Sequence, residues 1–363
     1  MNWWKAVVVV MVGMYVYPIV KSVSWYQLET SVRSLRALMD VTEQDIMKCV
    51  EAHEFLMEGT MQTTDSQVIT EHIKNLYAVL NQLLAVVDIE KLYIPPLLDD
   101  TKGLYDNQLL LEQAMARELN VSQGDRVLDV GCGRGRIAHH VATLTGASVS
   151  GFNIDLVQID NAIEYAAATG MENRLDFAVA DHHGRFPYED EQFDAVYSVQ
   201  ALWPFFKVKE LDGVARELYR VTKPGGLYTC SEYLLTPHFD WTNPTHKKMH
   251  DIFIPTLMAS HSNYPADVVG ALERAGFEKV VSEPALAPTW PLCDQKTELF
   301  KWMRSFVRLF TRVGLCPPWM ERLINNLLKG GREWTLADRA SLADLNWHIT
   351  VRKPTTTTTT TRR

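Results

Sequence analysis

Three glycines at alternate positions, Gly131, Gly133 and Gly135, interrupt the apolar stretch LDVGCGRGRIAHHVA. Because glycine adopts backbone conformations that other residues avoid, it lets a loop turn tightly and approach a ligand closely. The apolar residues before the glycines predict a buried strand, and the pattern after them predicts a helix. This part of the chain is therefore constrained to a strand, a glycine loop and a helix, with a ligand at the loop.

The alternation of strand and helix continues between residues 125 and 235. Short apolar segments predict strands, and helical patterns separate most of them: RVLDV, SVSGF, LDFAVA, DAVYSV and LYTCSEYLL. Such an alternation is typical of an α/β protein with a doubly wound, mostly parallel sheet. Ligands of these sheets bind beyond the carboxyl ends of the strands, which again indicates the glycine loop.

Composition excludes several classes of protein. The chain has 363 residues, 47% of them hydrophobic, and a net charge of −8 with scattered basic residues, so a globular protein without a nucleic-acid partner is expected. Its five cysteines form no C-x-x-C pair, which fits neither a disulfide framework nor a zinc site and favours a reducing compartment.

His246 and His250 lie four apart, but Lys247 stands where a zinc peptidase has glutamate. No metal is expected.

The N-terminal segment is unusually apolar. Fifteen residues between Lys5 and Lys21 carry no charge, and Trp3 and Trp4 precede them. A membrane span needs about 20 apolar residues, which flanking tryptophans and lysines can help to supply. We predict a membrane anchor at 1–21, with a buried strand as the alternative.

The glycine pattern differs from that of a dinucleotide site. A dinucleotide-binding loop has the pattern G-x-G-x-x-G, followed about 20 positions later by an acid that binds ribose. Here the sixth position is Arg136, and Asn153 stands where the acid is expected, so a dinucleotide oxidoreductase is disfavoured. Asp129, two residues before the first glycine, suits the ammonium group of an amino-acid moiety.

Several motifs occur in a family-specific order. VLDVGCGRG, then VADHHGRFPYEDEQFDAVYSVQAL, then ELYRVTKPGGLY together resemble the class I S-adenosylmethionine-dependent methyltransferases. GFNIDLVQIDNA and CSEYLLTPHFDWTNPTHKKM most resemble sterol C-24 methyltransferases. The chain departs from that family before the first strand, at YIPPLLDDTKGLYDNQ, and after the fourth, at QALWPFF. The resemblance implies a seven-stranded Rossmann-like fold with N-terminal helices and a helical cap inserted before the last strand.

The resemblance also implies S-adenosyl-L-methionine as cofactor and a role for each matching residue. The methionine part would lie at the glycine loop, the ribose after the second strand, the adenine after the third and the sulfonium after the fourth. The residues are, in that order, Asp129, Gly131 and Gly133; Asn153 and Gln158; Asp181 and His182; and Gln200.

The acceptor is less constrained, because both departures concern its site. If it is an alkene, its π-electrons attack the methyl group without a base, and the resulting cation needs aromatic faces and then loses a proton. Trp203, Phe205 and Phe206 could supply the faces, with a plain hydrophobic core as the alternative, and Tyr105 is added as a substrate contact. Glu232 is the preferred base, and His182 and Trp203 are assigned to the catalytic set as well; Asp181 and His183 remain open as bases.

The region between the sixth and seventh strands is longer than a crossover requires. In it, Lys301, Arg304, Arg308 and Arg312 recur every three or four residues among apolar residues, which predicts a basic amphipathic helix. It could lie on a membrane or pack on its own domain.

The resulting hypothesis is a membrane-associated enzyme that C-methylates a sterol side-chain alkene, at the endoplasmic reticulum with its catalytic domain in the cytosol. A prenylated quinone or tocopherol methyltransferase and a non-catalytic S-adenosylmethionine-binding protein are the alternatives. A sterol-like lipid and the membrane surface are the expected partners, and a homo-oligomer is left open. The predicted divisions are an anchor at 1–21, a helical region at 22–95, the core at 96–283, a cap or membrane-contact segment at 284–346, the last strand at 347–354 and a disordered tail at 355–363.

Overall fold

The computed structural model describes residues 42–57, 68–69, 71–76, 91–257, 259–314 and 318–355. The predicted anchor at 1–21 and nearly all of the predicted tail lie outside them. The strands are β1 Arg126–Val130, β2 Ser148–Asn153, β3 Leu175–Val179, β4 Phe193–Val199, β5 Thr222–Leu235, β6 Glu278–Glu283 and β7 Ala343–Arg352. The helices are α1 Glu43–Met57, α2 Leu104–Leu119, α3 Arg136–Thr145, α4 Leu156–Ala168, α5 Leu211–Val221, α6 Pro244–Phe253, α7 Pro265–Ala275, α8 Trp290–Arg312 and α9 Pro318–Arg339.

The seven strands form one sheet in the order β3-β2-β1-β4-β5-β7-β6. The first five pair in parallel, and β7 is antiparallel to both β5 and β6. The chain reverses its direction of winding between β1 and β4, which is the switch point where ligands of such sheets bind. The predicted doubly wound, mostly parallel sheet is confirmed.

The central strands are apolar because they are covered on both faces. Val127, Leu128 and Val130 of β1 have no exposed surface, as expected for a parallel strand that lies between two helical layers. A charged or polar side chain on such a strand is costly to bury unless it has a partner. Asp129, in the same strand, is only 2% exposed.

The described residues divide into two compact units. One contains the described residues up to Leu92 together with Phe239–His261 and Thr289–Leu342, so that it includes α6, α8 and α9. The other contains Tyr93–His238, Ser262–Pro288 and the residues from Ala343 onward, with the whole sheet.

The two helices α8 and α9 lie between β6 and β7, where the sequence predicts an inserted helical segment. Asp338 of α9 fixes the start of α8, since its Oδ2 accepts from the backbone N–H groups of Thr289 and Trp290 at 2.9 and 2.7 Å. Among the described residues, no helix is both long enough and apolar enough to cross a membrane.

Candidate active site

The glycine loop after β1 needs glycine for two separate reasons. Gly131, Gly133 and Gly135 have φ angles of 78°, 53° and 71°, which residues with a Cβ adopt at a cost. A Cβ at Gly131 would lie 2.5 Å from that of Ala201, and one at Gly135 would lie 2.6 Å from the Phe177 ring. At Gly133 the nearest atom would be the Gln158 amide oxygen, at 3.1 Å. The loop is thus packed against protein at two glycines and is more open at Gly133, where a ligand can approach.

Asp129 lies at the end of β1, between Gly151 of β2 and Tyr197 of β4 in the sheet register. The Tyr197 hydroxyl donates to its Oδ2 at 2.8 Å. Burial raises the pKa of Asp129 to about 7, although the Tyr197 hydrogen bond opposes that shift. A buried carboxylate of this kind is stabilised by a cationic partner, so the site fits the ammonium group of S-adenosylmethionine.

A second buried acid, Glu112 of α2, was not predicted from the sequence. It is 1% exposed, and its oxygens lie 2.6 Å from His140 Nδ1 and 2.5 Å from the Tyr93 hydroxyl. Burial of Asp129 is the main cause of its raised pKa, and the negative charge of Glu112 is a further cause. Glu112 precedes the glycine loop in a helix without a motif, so only the tertiary structure reveals it.

The predicted ribose residues meet through a residue that the sequence left unassigned. Asn153 Oδ1 accepts from the backbone N–H of Asp155 at 2.9 Å. Asp155 caps α4 by accepting from the N–H of Val157 at 2.9 Å, and the Gln158 amide lies 3.4 Å from its other oxygen. Asn153 and Gln158 are therefore held at the carboxyl end of β2, beside the glycine loop.

The segment after β3 brings Asp181, His182 and His183 together. Asp181 Oδ1 lies 2.9 Å from both the backbone nitrogen and the Nδ1 of His183, and Nε2 of His183 lies 3.1 Å from the Phe205 carbonyl. Burial alone would raise the pKa of Asp181, but the hydrogen bonds from His183 lower it to about 2. The potential ligand atoms of the three residues lie within 4.8 Å of one another, but both ring nitrogens of His183 already have partners.

The pKa values of the two histidines are shifted in opposite directions. Burial lowers the pKa of His182 to about 3, so its ring is neutral and packs between His183 and the rings of Phe205 and Phe206. Burial also works against protonation of His183, but its contact with Asp181 outweighs burial and raises its pKa. Of the two, His183 is the ring that has a carboxylate partner.

Gln200, directly after β4, has a φ of 47°, an uncommon conformation for a residue other than glycine. Its Nε2 donates to the Ile94 carbonyl at 2.8 Å and to Asn346 Oδ1 at 3.1 Å, and its Oε1 accepts from the Ile94 N–H at 3.3 Å. We call residues 93–98 the strap. The Gln200 amide binds the strap to the sheet, and its predicted position near the sulfonium stays a prediction.

Glu232 of β5 is fully buried. Its Oε1 accepts from the Ser198 hydroxyl at 2.7 Å, and its two oxygens accept from the backbone N–H groups of Ala201 and Leu202 at 3.1 to 3.4 Å. Burial raises the pKa of Glu232 to about 7, and these hydrogen bonds oppose that rise. The carboxyl group therefore holds the loop after β4 in place, a role that the sequence did not indicate.

The predicted aromatic faces differ in what they pack against. Trp203 is fully buried in the core against Tyr228, and Phe206 is 3% exposed. Phe205 is partly buried beside His182, whereas Tyr105 on α2 is 62% exposed. Packing alone explains Trp203 and Phe206, so a role for them beside a cation stays a prediction that would require the loop to open.

Comparison with known proteins defines the class. A family profile described as a methyltransferase domain matches residues 127–226. The fold is shared with the [4+2]-cyclase SpnF, with a TM-score of 0.61, 22% identity and coverage of 80% of this chain and 98% of SpnF. It is also shared with the cyclopropane synthase MmaA2 from Mycobacterium tuberculosis, with a TM-score of 0.58, 12% identity and coverage of 72% and 89%. The profile identifies a methyltransferase domain at residues 127–226, and SpnF and MmaA2 share the fold of the chain.

Sequence relatives define the family. Cycloartenol-C-24-methyltransferase 1 of Oryza sativa subsp. japonica is 30% identical over 262 residues, 67% of this chain and 74% of that protein. Sterol 24-C-methyltransferase ERG6 of Saccharomyces cerevisiae is 35% identical over 174 residues, 47% of this chain and 44% of that protein. The chain therefore belongs to the sterol C-24 methyltransferase family. It spans about half the length of several fungal relatives that it matches.

Proposed function

We propose that this chain transfers a methyl group from S-adenosylmethionine to an apolar lipid, and that the reaction is C-methylation of a sterol side-chain alkene. The observation that carries the proposal is the 30% identity to a cycloartenol C-24 methyltransferase over 67% of this chain. The fold alone would not suffice, since unrelated functions occur on one fold.

The donor would lie along the carboxyl ends of β1 to β3. We assign the ammonium group to Asp129 and the close backbone approach to Gly133. The ribose hydroxyls fall to Asn153 and Gln158, and the adenine edge to Asp181. When bound, S-adenosylmethionine supplies an electrophilic methyl group. The protein orients it with buried groups, which require little reorganisation during the reaction.

An alkene acceptor would need a base after methyl transfer, because the cation on the acceptor must lose a proton. Glu232 remains our proposed base, since a pKa near 7 suits proton transfer at neutral pH. Its oxygens already accept three hydrogen bonds, so the base role requires one of them to be released. His183, with Asp181 on Nδ1, is the alternative base, whereas His182 has too low a pKa to be effective.

We also propose that the enzyme works at a membrane, at the endoplasmic reticulum with its catalytic domain in the cytosol. Support comes from the apolar sequence at 1–21 and from the nature of an apolar acceptor. Fractionation of the full-length protein in low salt without detergent tests this location. Recovery of the protein in the soluble fraction would contradict it.

Transfer of labelled methyl groups into a crude lipid extract, with mass identification of the product, tests the proposed function. A sterol that gains one methyl on its side chain is the expected product. Methylation of the phenol ring of a prenylated quinone would contradict the sterol as acceptor and favour the quinone. Absence of transfer despite tight S-adenosylhomocysteine binding would indicate a non-catalytic protein. Gly133→Val serves as the matched variant without donor binding, which identifies background labelling.

A further inference from the structure

Helix α8 carries two exposed stripes side by side. Lys301, Arg308 and Arg312 are spaced by seven and four residues, so they lie on one side of the helix. Trp302 and Leu309 repeat the spacing of seven one residue later, about 100° around the helix, and Val313 follows directly after the last helical residue. Their exposed fractions are 48%, 57% and 60%, which is high for large apolar side chains.

The other side of α8 fixes this orientation. Val307 is fully buried and packs with Phe310 of α8 and with Ile324 and Leu328 of α9. Because this apolar contact holds the helix against its neighbour in the same unit, the two stripes face outward together.

The charge of this stretch contrasts with that of the whole chain. Residues 301–313 contain four cationic residues and no acid, in a chain with a net charge of −8. Arg308 contacts Glu321 of α9 at 2.8 Å, so this cation has an acidic partner within the same unit. The stretch is therefore complementary to an anionic partner.

We propose that these two stripes form a docking surface for an anionic lipid bilayer. A row of cations beside a row of exposed tryptophan, leucine and valine matches the two layers of a membrane interface. The cations meet the headgroups, and the apolar side chains enter the acyl boundary. The charges of an acidic protein would pair with the cations, but charge pairing alone would not explain the exposed apolar row beside them. This surface deepens the proposed function. Only one part of the inference rests on that function, namely that the bilayer supplies the apolar acceptor.

The matched variants exchange one cation and one neighbouring apolar residue. Arg312→Gln/Val313→Ser alters the docking surface, whereas Lys279→Gln/Val280→Ser makes the same change on β6, where Val280 is 54% exposed. Full-length proteins are mixed with vesicles of phosphatidylcholine containing about one third phosphatidylserine. The first variant should bind about 50-fold more weakly, about 5-fold from the cation and about 10-fold from the apolar side chain. The control should bind as the parent does.

A local probe separates this surface from any binding through residues 1–21. An environment-sensitive fluorophore is placed at Val313→Cys, with Cys316→Ser to prevent labelling there; the four described cysteines are all buried. On vesicles its emission should shift to the blue and be quenched by nitroxide-bearing lipids, whereas a label at Val280→Cys should not respond. A label at 313 that stays in water on bound protein would overturn the proposal. Methyl transfer to a detergent-dispersed acceptor tests the function separately, because it needs no bilayer.

Discussion

Replacing Glu232 by glutamine should make the protein more stable than the parent above pH 7. The parent carboxyl is fully buried and surrounded by the Ser198 hydroxyl and two backbone N–H groups. Glutamine has the shape of the protonated carboxyl, so its oxygen can accept from the backbone while its NH₂ donates to Ser198. Near pH 5 the two proteins should therefore differ by no more than about 1 kcal/mol.

The magnitude follows from the pKa of Glu232, which burial raises from an ordinary 4.5 to about 7. Between these values the folded protein holds a proton that the unfolded chain has released, so this group's contribution to stability falls as pH rises. Over the whole window the loss is about 3 kcal/mol. The glutamine variant does not suffer it, so it should exceed the parent by about 2–3 kcal/mol at pH 8.

Urea unfolding of both proteins at pH 5, 6, 7 and 8 measures the difference. Glu217→Gln is the matched control. Burial opposes ionisation of Glu217, but Arg220 outweighs it and lowers its pKa, so that variant should lose relative stability as pH rises through the acidic range. A Glu232→Gln protein that is less stable than the parent at pH 8 would refute the reasoning, because it would mean that the three donors stabilise an ionised carboxylate.

Four further outcomes are expected. Gly133→Val should abolish calorimetric binding of S-adenosylhomocysteine, whereas Gly170→Val, also at positive φ but in open space, should bind normally. Asp129→Ala should weaken that binding by about 2–3 kcal/mol, through loss of a buried charged hydrogen bond; unchanged affinity would remove it from the donor site. Gln200→Glu should raise protease cleavage in the strap, since a carboxylate cannot donate to the carbonyl that the amide now binds; parental resistance would contradict this. Asp338→Ala should lower the free energy of unfolding by about 1–3 kcal/mol, and an unchanged urea midpoint would show that α8 does not need this cap.

The sequence determined the sheet and the position of the glycine loop because both depend on local patterns. Short apolar strands alternating with helices predicted the doubly wound sheet, and the glycine pattern predicted the loop that follows β1. The residues after each strand then fell at the same edge as this loop, since parallel strands present their carboxyl ends on one side. The positions of Asp129, Asn153 and Asp181 at strand ends thus followed from chain order alone.

Tertiary structure decided which polar groups have partners, because those partners are distant in sequence. Glu112 contacts His140, which is 28 positions away, and Gln200 donates a hydrogen bond to Ile94, which is 106 positions away. No local sequence pattern predicts either contact. Burial likewise changed the interpretation of Glu232 and Trp203, whose environments depend on neighbouring strands. A sequence specifies which groups are present, but hydrogen bonding and desolvation, which set the pKa and the chemistry of a group, arise only when distant segments pack together.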